Sequence, residues 1–254
     1  MLKDLKTENI NNSYFDGYYK DIWRAAIPDE LTLKEVDFML QYFNLKPGYK
    51  ILDIMCGYGR HALSLAKKGM LVTAVDNLSD YIDEVKKIGQ QENLPITAIE
   101  TDVIQYETDD SFDLTICMGN SLNFFNAEDT LKLMKTIDRY LKPGGHFLIN
   151  SWSLTEIVAK HFTEKGWRET NGFKFLTESK YLFYPTRVET NHTIISPDGN
   201  SENKTGIDYI FSISEMETML NNAGFNLKEV YSIPGKKKFI LGEPRAYIIA
   251  SKAN

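Results

Sequence analysis

Apolar and polar residues fall in blocks of two periods along this chain. The short run Ile51-Leu52-Asp53-Ile54 is followed by Met55-Cys56-Gly57-Tyr58-Gly59, and then by Ala62-Leu63-Ser64-Leu65-Ala66-Lys67-Lys68 with helical spacing. The pattern predicts strand, tight turn, helix. After Gly69, Leu71-Val72-Thr73-Ala74-Val75-Asp76 predicts a second strand that ends on an acid. The alternation continues as helix over 79–91, strands over 96–100 and 112–118, helix over 128–141 and strand over 146–152. Repeated strand–helix units of this kind predict a parallel sheet with helices on both faces.

Both flanks add elements. Residues 9–24 are rich in aromatics (Tyr14, Phe15, Tyr18, Tyr19, Trp23), and 32–43 carry Leu33, Val36, Phe38, Met39 and Leu40 at helical spacing, so helices precede the first strand. Beyond about Gly166 the pattern changes. Residues 173–211 are rich in Tyr, Phe, Val, Ile and Thr, and Ser196-Pro197-Asp198-Gly199 divides two strand-like runs, which predicts an antiparallel insertion. A helix over 212–223 is expected, with a capping box at Ser214-x-x-Glu217 and a stop at Gly224. Strands over 227–232 and 246–251 close the series.

A strand–glycine–helix junction aims free backbone N–H groups past the strand's end, and glycine lets a ligand approach the main chain closely. An acid ending the next strand accepts from both hydroxyls of a ribose, through charge-assisted bonds of about 1.5–3 kcal/mol each. Two cofactor classes use this layout, NAD(P) and S-adenosylmethionine.

Asp53, Cys56-Gly57-x-Gly59, Asp76, the pair Asp102-Val103 and Leu141-Lys142-Pro143-Gly144-Gly145 occur in the order and spacing of a class I S-adenosylmethionine-dependent methyltransferase, which the chain resembles over about 36–150. The resemblance implies a Rossmann-like α/β fold: seven mostly parallel strands in the order 3-2-1-4-5-7-6, with an antiparallel β insertion after strand five and N-terminal lid helices. It divides a single methyltransferase domain, 1–254, into a helical lid (1–45), a cofactor-binding core (46–166), the insertion (167–212) and a C-terminal helix and strand hairpin (213–254). It makes S-adenosyl-L-methionine the cofactor, with Gly57 and Gly59 on the methionyl moiety, Asp76 with neighbouring Asn77 on the ribose, and Asp102 and Val103 at the adenine. Asp53, Cys56, Met118 and Asn120 complete the core set, and Tyr14 and Tyr19 are the aromatics that close over it. The resembled family usually has glycine where this chain has Met55.

Met118-Gly119-Asn120-Ser121-Leu122-Asn123-Phe124-Phe125 resembles the segment that passes beside the sulfonium in small-molecule methyltransferases. Ser121, Asn123 and Phe124 are therefore the substrate candidates, and the Asn/Asp-Pro-Pro-aromatic sequence typical of nucleic-acid amino methyltransferases is absent. Methyl transfer is an in-line displacement with a neutral leaving group. Holding the nucleophile in line supplies on the order of 7–11 kcal/mol, and a base is needed only if the acceptor must lose a proton. No catalytic side chain is assigned. Arg60, His61, His161 and His192 have structural readings, as a paired arginine or packed histidines, alongside the catalytic ones. Tyr181, Tyr184 and Arg187 are candidates for substrate or homodimer contacts.

Composition removes several classes. The net charge of −6 over 254 residues argues against a nucleic-acid partner, and Lys236-Lys237-Lys238 reads as a solvated loop. No run approaches the roughly 18 apolar residues of a membrane span, and the N-terminus lacks a signal-peptide layout, so a cytoplasmic protein is expected. The two cysteines, Cys56 and Cys117, read as apolar fillers, with no disulfide or metal framework. Two alternatives stand beside the methyltransferase: a non-catalytic S-adenosylmethionine binder, which turnover would separate, and an NAD(P)-dependent oxidoreductase using Gly57-x-Gly59-x-x-Ala62.

Overall fold

The computed structural model describes residues 9–253. In chain order its elements are α1 (Tyr18–Ala26), α2 (Asp29–Tyr42), β1 (Lys50–Ile54), α3 (Arg60–Lys67), β2 (Leu71–Asp76), α4 (Ser79–Gln91), β3 (Ile96–Glu100), β4 (Phe112–Cys117), α5 (Ala127–Tyr140), β5 (Leu141–Ser151) and α6 (Thr155–His161). They continue as β6 (Lys165–Thr170), β7 (Phe173–Phe183), β8 (Thr186–Ile195), β9 (Ser201–Tyr209), α7 (Ile213–Asn222), β10 (Phe225–Ile233), β11 (Lys237–Lys238) and β12 (Ala246–Lys252). Two compact units emerge, one from residues 27–162 and the chain from 209 on, the other from residues up to 26 and 163–208.

The first unit is built on an eight-stranded sheet in the order β11-β10-β12-β5-β4-β1-β2-β3. β1 to β5 run parallel, while β12 is antiparallel to β5 and β10 antiparallel to β12. With β10 and β12 as the sixth and seventh strands, the expected order 3-2-1-4-5-7-6 is present, and β11 adds an edge. Central strands are apolar on both faces because both are covered. Leu52, Ile54, Phe147 and Ile149 pack under Leu133, Met134 and Ile137 of α5 and Met216 and Leu220 of α7. On the opposite face Ile51, Leu114 and Ile116 meet Val36 and Met39 of α2, Ala62 and Leu65 of α3 and Val85 of α4. Each fully buried side chain of this kind contributes about 1.5–3 kcal/mol.

α1 lies in the second unit, whereas α2 buries Val36 and Met39 in the core of the first. Several local expectations are corrected here. The buried stripe of α2 runs through Thr32, Glu35, Val36 and Met39, and Leu33 is exposed. The capping box of α7 is Ser212 with Glu215, two residues earlier than Ser214 and Glu217. Lys237 and Lys238 form an edge strand, with the Lys238 ammonium 4.4 Å from the Tyr231 ring centre.

The second unit is an antiparallel sheet, β6-β7-β8-β9, with α1. Its core is Tyr14, Tyr19, Ile22, Phe175 and Ile194. The expected turn at 196–199 joins β8 to β9, with Gly199 in the left-handed region and Ser196 N donating to Asn200 O. Two elements were not foreseen: β6, and the β7–β8 hairpin that turns at Tyr184 and Pro185.

Candidate cofactor site

β1 lies between β2 and β4, so the strand order reverses there and a crevice opens beyond the carboxyl ends of β1 and β4. The turn leaving β1 places Met55, Gly57 and Gly59 all at positive φ, at 54°, 56° and 75°. At Gly59 a Cβ would meet Val85 Cγ2 at 2.5 Å, so close packing of α4 on the turn requires glycine. At Gly57 a Cβ would meet nothing within 4 Å, which leaves room for a ligand against the backbone. Met55, on the site of the missing glycine, carries a left-handed conformation that costs a residue with a Cβ about 1–2 kcal/mol.

Two carboxylates frame this turn. Asp76 ends β2, and its Oδ2 accepts from Gly57 N at 2.8 Å while Oδ1 accepts from Leu78 N at 3.0 Å. The side chain thus pins the glycine turn to β2, and with about four lone-pair sites it retains acceptor capacity for a diol. Burial raises its pKa, opposed by the N–H groups of Gly57, Leu78 and Asn77. Asp53, on β1, is 1% exposed and receives the backbone N–H of Ala62 in the first turn of α3. Its Oδ2 has no hydrogen-bond partner. Burial pushes its pKa up to about 8, opposed by the charge of Arg60 and reinforced by Asp76.

The remaining core candidates gather around the same strand ends. Cys56 lies in the turn, its thiol donating to Gly57 O at 3.4 Å, with burial raising its pKa. Cys117 is buried at the end of β4. Asn77 is exposed next to Asp76. Asp102, in the turn after β3, caps that turn by accepting from Ile104 N at 2.9 Å, beside buried Val103. Met118 is buried, and Gly119 follows at φ 75° with open space where a Cβ would stand.

Asn120, Ser121 and Asn123 are each held by hydrogen bonds within the protein. Asn120 Oδ1 accepts from Trp152 N at 2.9 Å and Ser153 N at 3.0 Å, and its Nδ2 donates to Ser153 Oγ at 2.9 Å. Asn123 spends both amide protons on Ser153 O and Tyr209 O and accepts from Ser151 Oγ. Ser121 Oγ donates to Met118 O at 3.0 Å. These side chains fasten the segment after β4 to the end of β5. Phe124 is half-buried beside them.

Tyr14 and Tyr19 are brought together, but in the second unit. Their ring centres are 4.7 Å apart and both pack near His192. Burial raises both phenol pKa values, that of Tyr19 to about 12. His192 stacks on Phe175 at 4.4 Å, accepts from or donates to Thr177 Oγ1 at 3.1 Å, and is held neutral by burial and Arg168 at a pKa of about 4. His161 donates from Nε2 to Gly242 O, and Arg187 closes the β7–β8 turn through Glu189 and the carbonyls of Tyr184 and Pro185.

Composition and periodicity did not single out Glu35. It is 2% exposed on α2, and its Oε2 receives Arg60 Nη1 at 2.6 Å and His61 Nε2 at 2.8 Å, while Oε1 receives the Tyr247 hydroxyl at 2.6 Å. Arg60 is therefore a half-buried, paired cation. Burial alone would raise the pKa of Glu35, but His61, Arg60 and Tyr247 together hold it down at about 2. His61 is pushed down to about 4, first by burial and then by Arg60, so at neutral pH it is uncharged and donates from Nε2. An NMR titration is expected to show His61 as the Nε2–H tautomer down to about pH 4; a midpoint near 6.5 would contradict the network. The signal available in sequence was an acid inside an apolar helical stripe.

Parallel strands with a switch point, a glycine turn and two acids define a nucleotide-type cofactor site, and the unpartnered Asp53 oxygen together with the open space at Gly57 fits a cofactor with a cationic amino-acid end. A methyltransferase-domain family matches residues 51–145. The chain is 28% identical over 231 residues to the ubiquinone biosynthesis O-methyltransferase of Rickettsia typhi, covering 87% of both proteins. It is 32% identical over 139 residues to the S-adenosyl-L-methionine-dependent Diels-Alderase iccD of Talaromyces variabilis, and there it spans about half of each, 52% of this chain and 47% of that one. Among solved structures it resembles an S-adenosylmethionine-dependent methyltransferase from Clostridium acetobutylicum (TM-score 0.81, 19% identity, covering 93% of this chain and 96% of that one). It also resembles the CcbJ methyltransferase from Streptomyces caelestis (TM-score 0.82, 17% identity, 98% and 100% covered). Residues 51–145 thus match a methyltransferase domain, and the chain has the fold of class I S-adenosylmethionine-dependent methyltransferases, whose cofactor is S-adenosyl-L-methionine.

Proposed function

We propose that the protein methylates a small-molecule acceptor. The cofactor supplies a methyl group on a sulfonium whose departure leaves a neutral thioether, so the protein has no developing anion to stabilise on the leaving group. What its residues supply is position. Asp76 holds the glycine turn to β2 and offers its remaining lone pairs to a ribose; Asp53 presents a buried carboxylate oxygen to a cation; Asp102 and Val103 border the adenine end; Met118 and Gly119 line the wall beyond β4. The observation that carries this reading is the unpartnered Oδ2 of Asp53, on the strand that leads into the glycine turn and within the electrostatic reach of Asp76.

A small acceptor is supported by the net charge of −6 and by similarity to the ubiquinone biosynthesis O-methyltransferase of Rickettsia typhi and the glycine/sarcosine N-methyltransferase of Halorhodospira halochloris. The test is release of S-adenosylhomocysteine across a panel of small amines, phenols and carboxylates. Tight cofactor binding with no turnover on any acceptor would sink the catalytic reading. Asp76→Ala is expected to weaken cofactor binding at least tenfold by calorimetry, because about 1.4 kcal/mol is one decade and the mutation removes both a diol acceptor and the partner of Gly57 N; unchanged affinity would refute the ribose role.

Among the described residues no helix is long and apolar enough to cross a membrane. The two free thiols suit a reducing compartment, and we place the protein in the cytoplasm. A homodimer using the exposed Trp167, Phe183 and Tyr184 is part of the same reading, to be checked by sedimentation.

A further inference from the structure

The first turn of α3 is gripped by two acids. Asp53, on β1, takes the N–H of Ala62. Glu35, on α2, takes the side chains of Arg60 and His61 and is itself tied to β12 through Tyr247. Arg60 is the shared element. Its guanidinium donates to Glu35 and to Thr32 Oγ1 at 2.9 Å, yet its charge also reaches Asp53, where it is the largest influence opposing burial.

The charges around Asp53 can be counted. On β2 stands Asp76; in the turn and on β4 stand the thiols of Cys56 and Cys117, both with pKa values raised by burial and therefore neutral; on α3 stand Arg60 and a neutral His61. Arg60 is the one cation in this set. If it turned to Asp53, it would satisfy the free Oδ2 with a strong charge-assisted bond, and a cationic ligand would have to displace it. Glu35 removes that competition by presenting a second, fully buried carboxylate at 2.6 Å.

We propose that Glu35 is a positioning residue that sequesters Arg60, keeping the Asp53 carboxylate available for the cationic methionyl end of the cofactor. The inference rests on the cofactor site argued above. It gives a function to a buried ion pair, which by itself is weak evidence for stability because desolvation offsets most of the attraction.

The test uses the whole protein and calorimetric titration with two probes, S-adenosylmethionine and 5′-methylthioadenosine, which keeps the adenosine and loses the ammonium-bearing chain. Glu35→Gln preserves shape, keeps an oxygen for His61 and offers its amide N–H to the Tyr247 hydroxyl, but strips Arg60 of its counter-charge. S-adenosylmethionine affinity is expected to fall at least tenfold, with 5′-methylthioadenosine affinity within about threefold of wild type. Adding Arg60→Met removes the competing cation, and the Glu35→Gln/Arg60→Met protein is expected to recover S-adenosylmethionine affinity to within about threefold.

Unchanged S-adenosylmethionine affinity in Glu35→Gln would overturn the proposal, as would equal losses for both probes with no recovery in the double variant, since that is what simple loosening of α3 predicts. Failure of the wild-type protein to bind S-adenosylmethionine would instead refute the cofactor site itself. Folding of each variant is checked by thermal unfolding, and the double variant, in which a buried pair becomes two neutral side chains, keeps the test decisive if Glu35→Gln alone is unstable.

Discussion

Asn120→Ala is expected to cost the fold about 4 kcal/mol, measured as a drop in unfolding free energy by urea titration. Asn120 is 1% exposed, and its amide oxygen is the partner of two backbone N–H groups at the end of β5, those of Trp152 and Ser153. Truncation leaves the Trp152 N–H without the acceptor it has here, at about 1–3 kcal/mol. Ser153 N loses its shorter bond and keeps the one to Ser151 Oγ at 3.2 Å. The Ser153 hydroxyl loses the Nδ2 donor. Asn120 also sits at φ 70°, a conformation Asn tolerates and Ala enters at a cost of about 1–2 kcal/mol. Against a typical margin of about 5–15 kcal/mol this is a large share. Asn120→Gly separates the terms: it removes the same hydrogen bonds without backbone strain, and is expected to recover about 1 kcal/mol. If Ala and Asn unfold alike, the polar knot between β4 and β5 does not stabilise the fold.

The same residue shows where a sequence stops being readable. The turn from β1 into α3 and the acid ending β2 were legible because every residue that forms them lies in two short stretches, 51–62 and 71–76, and the chemistry is local. Partners of Asn120 and Asn123 include Ser151, Trp152 and Ser153, which arrive through the pairing of β4 with β5, and Tyr209 at the end of β9, 86 positions from Asn123. A polar segment after an apolar strand reads as a substrate wall, and the second job of its side chains, holding strand ends together, is not visible locally. Glu35 had a partial signal, an acid within the buried stripe of α2, but its ligands come from α3 and β12. Ser212-x-x-Glu215 and Ser214-x-x-Glu217 offer equivalent caps by sequence. The structure uses the first, whose Glu215 also accepts from Ser212 N. The β7–β8 hairpin was missed because Tyr184-Pro185 lacks the Asn-Gly or Asp-Gly signature of a short turn.

Asp53→Asn is expected to make the protein more stable at neutral pH and worse at its task. The folded-state pKa of Asp53, about 8, lies above its ordinary value of 3.8, so the folded chain holds a proton that the unfolded chain releases. The stability this proton contributes is present below pH 3.8 and is lost progressively as the pH rises toward 8. At pH 7 the loss amounts to about 4 kcal/mol at 1.36 kcal/mol per unit. An asparagine carries no such burden. It brings an amide with an unsatisfied donor, at about 1–3 kcal/mol, so a net gain of about 1–3 kcal/mol is expected in urea titrations at pH 7, shrinking to nothing or reversing near pH 4. Cofactor affinity moves the other way. A carboxylate–cation hydrogen bond of about 1.5–3 kcal/mol is removed, so binding weakens by about 10- to 100-fold. In the wild type, affinity rises as the pH is raised from 6 to 8 because the proton on Asp53 competes with the cofactor's cation, and in Asp53→Asn that slope disappears. A variant that is destabilised at pH 7, or that binds with the wild-type pH slope, would show that Asp53 is charged and paired in the free protein. The expected result makes Asp53 a buried acid retained at the expense of stability because an ionisable oxygen is needed there once the cofactor arrives.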